Sequence, residues 1–439
     1  MLGENIMNNT CNYQSESRFL LPFYYENCNV GVSESPFEKE DFVLYEIKTK
    51  YLVKAIGELF SGNEKATCRC YYIKDEARRK YNLPARFTSV KVHSKMRGCS
   101  GNYSFKILGN RVFYFPTGIG YLETSIQYEN NDPKEIANIG FYLANVFTNE
   151  HDSGQIENNL SFSYEMGEQE ILFSFKNSFY SILQAEKHKD NLVVFPATER
   201  KRMQVYHSVI CKNVLDEKKN LYSLCNGLHY DIYYDENMDD DLVFSSVSNQ
   251  KWAVSSSGVV SLAVINEDDA HSYFLANNFM RSTLYDYYYI FILLLHEREL
   301  LLRYNHLAVK NKSQTRKFIG MKKNLLQLEI LYTYNTVSTE ASYQKFFNNL
   351  EDAFNISKLE DDIHEVIENV EAYVKDRKDR RTNTLLTAIS VLAVFSVLTD
   401  GIALADRIQS GAPFGVFQWM VIAIVAIFIS VAIIMLRRK

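Results

Sequence analysis

Proline is scarce: 7 residues in 439, against 30 Tyr and 28 Phe. So few breakers exclude a proline-rich linker, and the aromatic surplus points to strand-rich structure. The 7 cysteines are odd in number and dispersed (Cys11, Cys28, Cys68, Cys70, Cys99, Cys211, Cys225). That pattern excludes a disulfide framework and reads as free thiols. Cys68-Arg69-Cys70 is the close pair, and no His or Cys stands at zinc-like spacing from it. The sequence has no G-x-S-x-G, no H-E-x-x-H and no Walker lysine, and Gly118-Ile119-Gly120 lacks the strand-then-helix placement of a phosphate loop. A non-enzyme is expected. A net charge of −5 gives no global argument for nucleic acid, and no direct nucleic-acid partner is expected. The acidic run at 235–241 has no EF-hand spacing and reads as a solvated loop.

Long uncharged runs, by contrast, are present, and both lie at the C-terminal end. Residues 385–404 are apolar apart from Asp400 and a few hydroxyls, and residues 416–436 carry no charge. At about 1.5 Å per residue, roughly 20 residues cross a ~30 Å hydrocarbon layer. A basic collar flanks the pair: Lys378, Arg380 and Arg381 before the first run, Arg437, Arg438 and Lys439 after the second. Positive flanks stay cytoplasmic, so the expectation is a multi-pass protein of the inner (plasma) membrane with both termini cytoplasmic. The first run lies far from residue 1 and reads as a membrane span, not a signal peptide.

Two spans cannot enclose a pore alone. Leu359, Ile363, Val366, Val370 and Tyr373 step alternately by four and three, the seam of a helix packed against other helices. Continued into the first span, the same stepping puts Thr384, Thr387, Val391, Val394 and Leu398 on one face, with Asp400 two residues on. That face either lines a pore, where apolar rings can gate by dewetting, or packs helix on helix.

A long cytoplasmic helix running into the first of two spans, a short outer loop and a basic C-terminus together resemble the CorA family of divalent-cation channels. Residues 287–308 (YYYIFILLLHERELLLRYNHLA) and 337–374 are similar to the antiparallel helices and stalk of divergent members. The resemblance covers roughly the last 170 residues. It implies a homopentamer in the lipid bilayer whose first span lines the pore. The family's outer Gly-Met-Asn filter is replaced here by Asp406, Arg407 and Ile408, which puts magnesium uptake in doubt. Divergent CorA-like proteins include membrane effectors of type III CRISPR antiviral defence, thought to respond to an adenylate second messenger made from S-adenosylmethionine. On that resemblance the cytoplasmic domain binds a small nucleotide ligand, with Arg200, Lys201 and Arg202 as candidate phosphate contacts. A magnesium transporter with a divergent filter and a non-conducting membrane anchor are the alternatives. No cofactor is certain; magnesium and an adenylate-type ligand are the candidates.

Upstream, residues 42–60 read as a strand passing into a helix, and 106–114 and 121–128 as strands joined by a turn at Pro116. Residues 132–147 read as a helix starting near Pro133, with 162–175, 192–195 and 259–265 as further strands. Residues 270–307 form a helical stretch whose apolar core is too short to cross a membrane, and His296 reads as a packed helix residue. The expected fold is therefore an α+β cytoplasmic domain (residues 1–268), antiparallel helices and a long stalk helix (269–383), and a two-helix transmembrane hairpin. The hairpin comprises 384–405, an outer loop 406–415 and 416–436, followed by a basic tail 437–439.

Overall fold

Strand β1 (Glu16–Tyr25) is buried on both faces: Phe19, Leu21 and Phe23 on one side, Arg18 and Leu20 on the other. Side chains alternate along a strand, so β1 must run through a sheet with a layer on each side. The computed structural model describes residues 14–25, 37, 40–60, 68–95, 100–147, 160–185, 192–194, 202–232, 243–265, 270–311 and 334–409. The chain divides into two compact units, Met1–His364 and Glu365–Lys439.

In the first unit, thirteen strands among the described residues form one sheet with β1 near its middle. One edge of β1 pairs with β6 (Ile119–Tyr128), and the other with β10 (Gln204–Cys211) and, further along, β9 (Leu192–Val194). Beyond β6 lie β5 (Gly101–Tyr114), β4 (Ser89–Ser94), β7 (Leu160–Met166) and β8 (Gln169–Phe173). The far half of β5 instead pairs with β3 (Arg69–Ile73), which carries β2 (Phe42–Tyr45). Beyond β10 follow β13 (Gly258–Val264), β12 (Gln250–Ser255) and β11 (Val243–Phe244). The β10–β13 pair is parallel and the rest are antiparallel. A Cβ at Gly258 would lie 2.3 Å from the Val205 carbonyl oxygen, so that parallel approach needs a glycine.

Helix α1 (Lys54–Phe60) follows β2. Helices α2 (Pro133–Ala144), α3 (Phe175–Gln184) and α4 (Glu217–Cys225) cover one face, where Ile136, Ile139, Phe179 and Leu224 join Phe19, Leu21 and Phe23 in a single core. Asp132 caps α2 by accepting the Lys134 amide, and Pro133 fills the first turn, where no amide partner is needed. The opposite face is covered by α5 and by α6 (Ala341–Phe354). Helix α5 comprises the α-helical parts Ala270–Phe274, Met280–Ser282 and Tyr288–Asn311, with π-helical turns Leu275–Phe279 and Thr283–Tyr287 between them. Its apolar run Phe291–Leu295 is wholly buried, which makes it core. Trp252 of β12 stacks among Tyr287 and Phe346 at 5.0 and 4.7 Å between ring centres.

The expected single strand over 162–175 is instead a hairpin of β7 and β8, turned at Gly167 with φ +67°, and α3 begins at Phe175. The turn needs a left-handed residue, and glycine supplies it without strain.

Helix α7 runs unbroken from Ile356 to Gln409. It therefore carries Asp406, Arg407 and Ile408, expected in a loop, as helical residues. Among the described residues one helix is long and apolar enough to cross a membrane, and none of its apolar window is buried. The second expected span (416–436) and the basic tail lie outside the described residues. The architecture is thus a mixed α+β unit and a long apolar C-terminal helix.

Candidate functional site

Two features stand out chemically, and each lies within one unit. The first is an ionic cluster on the sheet face beneath α5. Arg111 of β5 and Glu123 of β6 are cross-strand partners, and the guanidinium grips the carboxylate twice, Nε to Oε1 at 2.9 Å and Nη2 to Oε2 at 2.7 Å. Ser125 adds a hydroxyl at 2.5 Å, and the Tyr288 phenol donates to Glu123 Oε2. Glu123 is fully buried. Burial pushes its carboxyl up, but Arg111 and Arg18 outweigh this and hold it below the usual range. A carboxylate with four donors repays much of its desolvation.

Arg18 of β1 is the unmatched member. Its guanidinium lies over the Tyr288 ring at 4.1 Å, and that of Arg111 lies 5.8 Å from the same ring centre. Only 7% of Arg18 is exposed, yet its Nε and Nη1 have no hydrogen-bond partner among the described residues. Next to it on β1, burial holds the Glu16 carboxyl above the ordinary range, against the pull of Arg18 and Arg111. Tyr45 of β2 faces Arg111 at 5.9 Å and is 37% exposed; burial raises its phenol, with Arg111, Tyr285 and Arg18 also acting on it. The cluster is therefore internal at Glu123 and reaches solvent at Tyr45.

The π-helical turn Thr283–Tyr287 borders this cluster. Tyr206 donates to the Thr283 carbonyl at 2.5 Å, and the Ser208 and Thr283 hydroxyls lie 2.6 Å apart. Asp286 of the same turn accepts the amides of Lys50 and Tyr51 at 2.9 and 3.3 Å. Such turns insert one residue into a helix and recur at functional sites. Tyr287 stacks on Tyr343 of α6 at 4.1 Å, and α6 ends at left-handed Asn355, one residue before α7 begins.

The second feature is the apolar length of α7. Val391 and Val394 are 49% and 58% exposed, and Leu385, Leu392 and Phe395 more so. The hydroxyls of Thr384 and Thr387 each donate at 2.8 Å to a carbonyl one turn back, Arg380 and Asn383. Inside a bilayer such hydroxyls need no further partner. Leu398 lies on the same helix, and Asp400 and Asp406 are exposed on it. Lys378, Arg380 and Arg381 are exposed before the apolar stretch, with Arg380 paired to Asp376 at 2.9 Å. Of the seam residues, Ile363 and Val370 are already buried within one chain, and Tyr373 is 47% exposed.

The other sequence candidates fare differently. Arg202 donates to the Gly227 carbonyl and so is committed to the fold, whereas Arg200, Lys201 and the acidic run 235–241 lie outside the described residues. His296 is buried, stacked on Phe115 at 3.7 Å, with its pKa pushed down to about 3 by burial and then by Arg303. Cys68, Cys70, Cys211 and Cys225 are buried free thiols. Burial pushes Cys70, Cys211 and Cys225 up to about 12, which makes them poor nucleophiles. Among the described residues no three His, Cys, Asp or Glu converge as metal ligands.

Sequence reasoning missed the Arg18 cluster because no short motif carries it. One signal was present: Arg111 and Glu123 sit at mirror positions about the turn near Thr117, each an ionic residue inside an apolar strand. Comparison with protein-family models, with curated proteins and with solved structures finds no match to this chain.

Proposed function

We propose that the chain is the subunit of a CorA-like oligomeric membrane channel or effector. Its α+β domain senses a nucleotide second messenger of the S-adenosylmethionine–adenylate type, and its apolar helices open or disrupt the membrane. The setting implied by the resemblance is type III CRISPR antiviral defence. The observation that carries the membrane part is the bare apolar surface of α7, which water does not stabilise. A two-span hairpin with both ends cytoplasmic and a pentameric assembly follow from the two apolar runs, the basic collar and the family's architecture.

Sensing is supported by the cluster at Arg18. A π-helical turn borders it, and the Tyr287–Tyr343 stack links that turn to α6 and so to the start of α7. A ligand acting on Tyr288 therefore has a contiguous, packed route towards the long helix. Val391 and Val394 are the proposed apolar constriction.

Ion release from liposomes holding the purified protein, before and after adding S-adenosylmethionine-linked and cyclic adenylates, tests the proposal. Silence followed by leak on one nucleotide is expected, and Val391→Asp should change that leak sharply. Steady magnesium flux without nucleotide would replace the effector by a transporter using Asp400 or Asp406. Silence under every addition would leave a membrane anchor.

A further inference from the structure

Native folds leave few buried donors unmet, and each one calls for an explanation. Three of the four charged groups of the ionic cluster are accounted for. Arg111 and Glu123 satisfy one another, and Glu16, half-buried, is biased towards its neutral form by burial. Arg18 remains, with a charge that cannot be removed, two buried nitrogens lacking acceptors and a stacking partner on one face. Buried cations without hydrogen-bond partners are costly, and a bound anion is one explanation for keeping one.

The surroundings narrow what that is. The group that fits there is an anion with several acceptor oxygens, since the Arg18 nitrogens are all donors and two of them are buried without an acceptor. Phosphate meets that description better than a single carboxylate. The solvent side of the cluster is aromatic: Tyr45 and Tyr285 are 37% and 38% exposed, and both Tyr285 and Arg18 act on the Tyr45 phenol. Phenol rings offer a face on which a flat heterocycle stacks. We propose that Arg18, with Glu16 beside it and Tyr45 and Tyr285 on its solvent side, binds the phosphate of a small ligand carrying a flat ring, a mononucleotide or a molecule built on one. The proposal deepens the reading of the α+β domain as a sensor. Of the earlier candidates, Arg202 donates to the Gly227 carbonyl, and Arg200 and Lys201 lie outside the described residues.

The site is tested by thermal stability and by calorimetric titration of the full chain in detergent, with AMP, adenosine and inorganic phosphate as probes at millimolar concentration. AMP should bind once per chain and raise the melting temperature, phosphate should do so weakly, and adenosine should do neither. Arg18→Met should reduce AMP affinity at least about tenfold, the loss of one charge-assisted contact. It should change the melting temperature of the ligand-free protein little, because no hydrogen bond is lost and relief of a buried charge offsets the lost contacts with Tyr288 and Glu123. Tyr45→Ala, at a partly exposed position, should weaken AMP several-fold and leave phosphate unaffected. Binding of AMP to Arg18→Met as tight as to the unaltered chain would overturn the site, as would no response to either phosphate compound. This result is separable from the channel reading: binding without ion release keeps the site and removes the gate, and nucleotide-triggered leak that survives Arg18→Met keeps the gate and removes the site.

Discussion

The two units hide opposite kinds of surface. In the first, Arg18, Arg111, Glu123 and the large rings Tyr206, Tyr288 and Trp252 are all buried, Arg111 paired with Glu123 and Arg18 set over the Tyr288 ring. In the second, Leu385, Leu386, Ile389, Leu392, Val394, Phe395 and Ile402 are all more than half exposed on one helix. Leaving side chains of that size in water forfeits about 1.5–3 kcal/mol each. One sequence does not solve the same problem in two ways for one solvent. The sheet is built for water outside and oil within, whereas the helix is long and apolar enough to cross a membrane and none of its apolar window is buried. What holds each together differs accordingly: packing and paired charge in the first, and in the second chiefly the backbone hydrogen bonds of one helix.

The sharpest way to break that contrast is to charge the helix. Residues 385–404 transplanted into a host membrane protein should insert, and Leu392→Asp with Phe395→Asp should abolish insertion, at about 3 kcal/mol per charge near the bilayer centre. Glycosylation tags on either flank report the result. Equal insertion of both segments would mean that α7 is not a span.

The matching experiment in the first unit removes an ion instead of adding one. Glu123→Ala strands Arg111 beside the already unmatched Arg18 and takes the acceptor from Tyr288 and Ser125. Destabilisation of about 3–5 kcal/mol is expected, read as a lower melting temperature of the full chain in detergent. A shift below about 1 kcal/mol would mean that water reaches the cluster freely.

Acid should act on the first unit through its buried histidines. His207, which lies 2.5 Å from the Ser17 hydroxyl, and His296 are each pushed down to about 3 by burial. Both stay neutral in the fold, whereas the unfolded chain takes up protons near pH 6.5. Their stabilisation is therefore complete above that value and is lost as pH falls towards about 3. Each contributes a slope of about 1.4 kcal/mol per pH unit. His207→Asn should remove about 1 kcal/mol of the loss between pH 6 and 5 in a melting series; an unchanged slope would assign acid sensitivity to other groups, among them buried His229.

How much of this was legible in the sequence depended on distance along the chain. The β5–β6 hairpin and α2 were readable because a turn at Gly118 and a cap at Asp132 are local devices. The long apolar helix was readable because length and composition suffice to mark it. β1 and β10 were not, since both faces are buried and the apolar–polar alternation that marks a half-exposed strand is absent. The parallel β10–β13 pair rests on contacts about fifty residues apart, and the Arg18 cluster on five separate elements. No periodicity records such meetings. The second span falls outside the described residues, so the hairpin still rests on composition alone.

The smallest expected change in stability carries the test of assembly. A seam between copies was expected over Leu359, Ile363, Val366, Val370 and Tyr373, and within one chain it is already half used. Ile363, Ile367 and Val370 are buried, so charging them would injure the fold and say nothing about partners. Tyr373 differs: it lies on the same stretch of α7, keeps 47% of its surface exposed and stands before the basic collar. Tyr373→Asp should leave the melting temperature nearly unchanged, within about 0.5 kcal/mol, as an exposed substitution does. If copies of the chain gather around α7, the same change buries a charge at their contact and should lower the particle mass seen by native mass spectrometry in detergent. An unchanged mass would place the contacts elsewhere and leave the exposed faces of the apolar length as their remaining location.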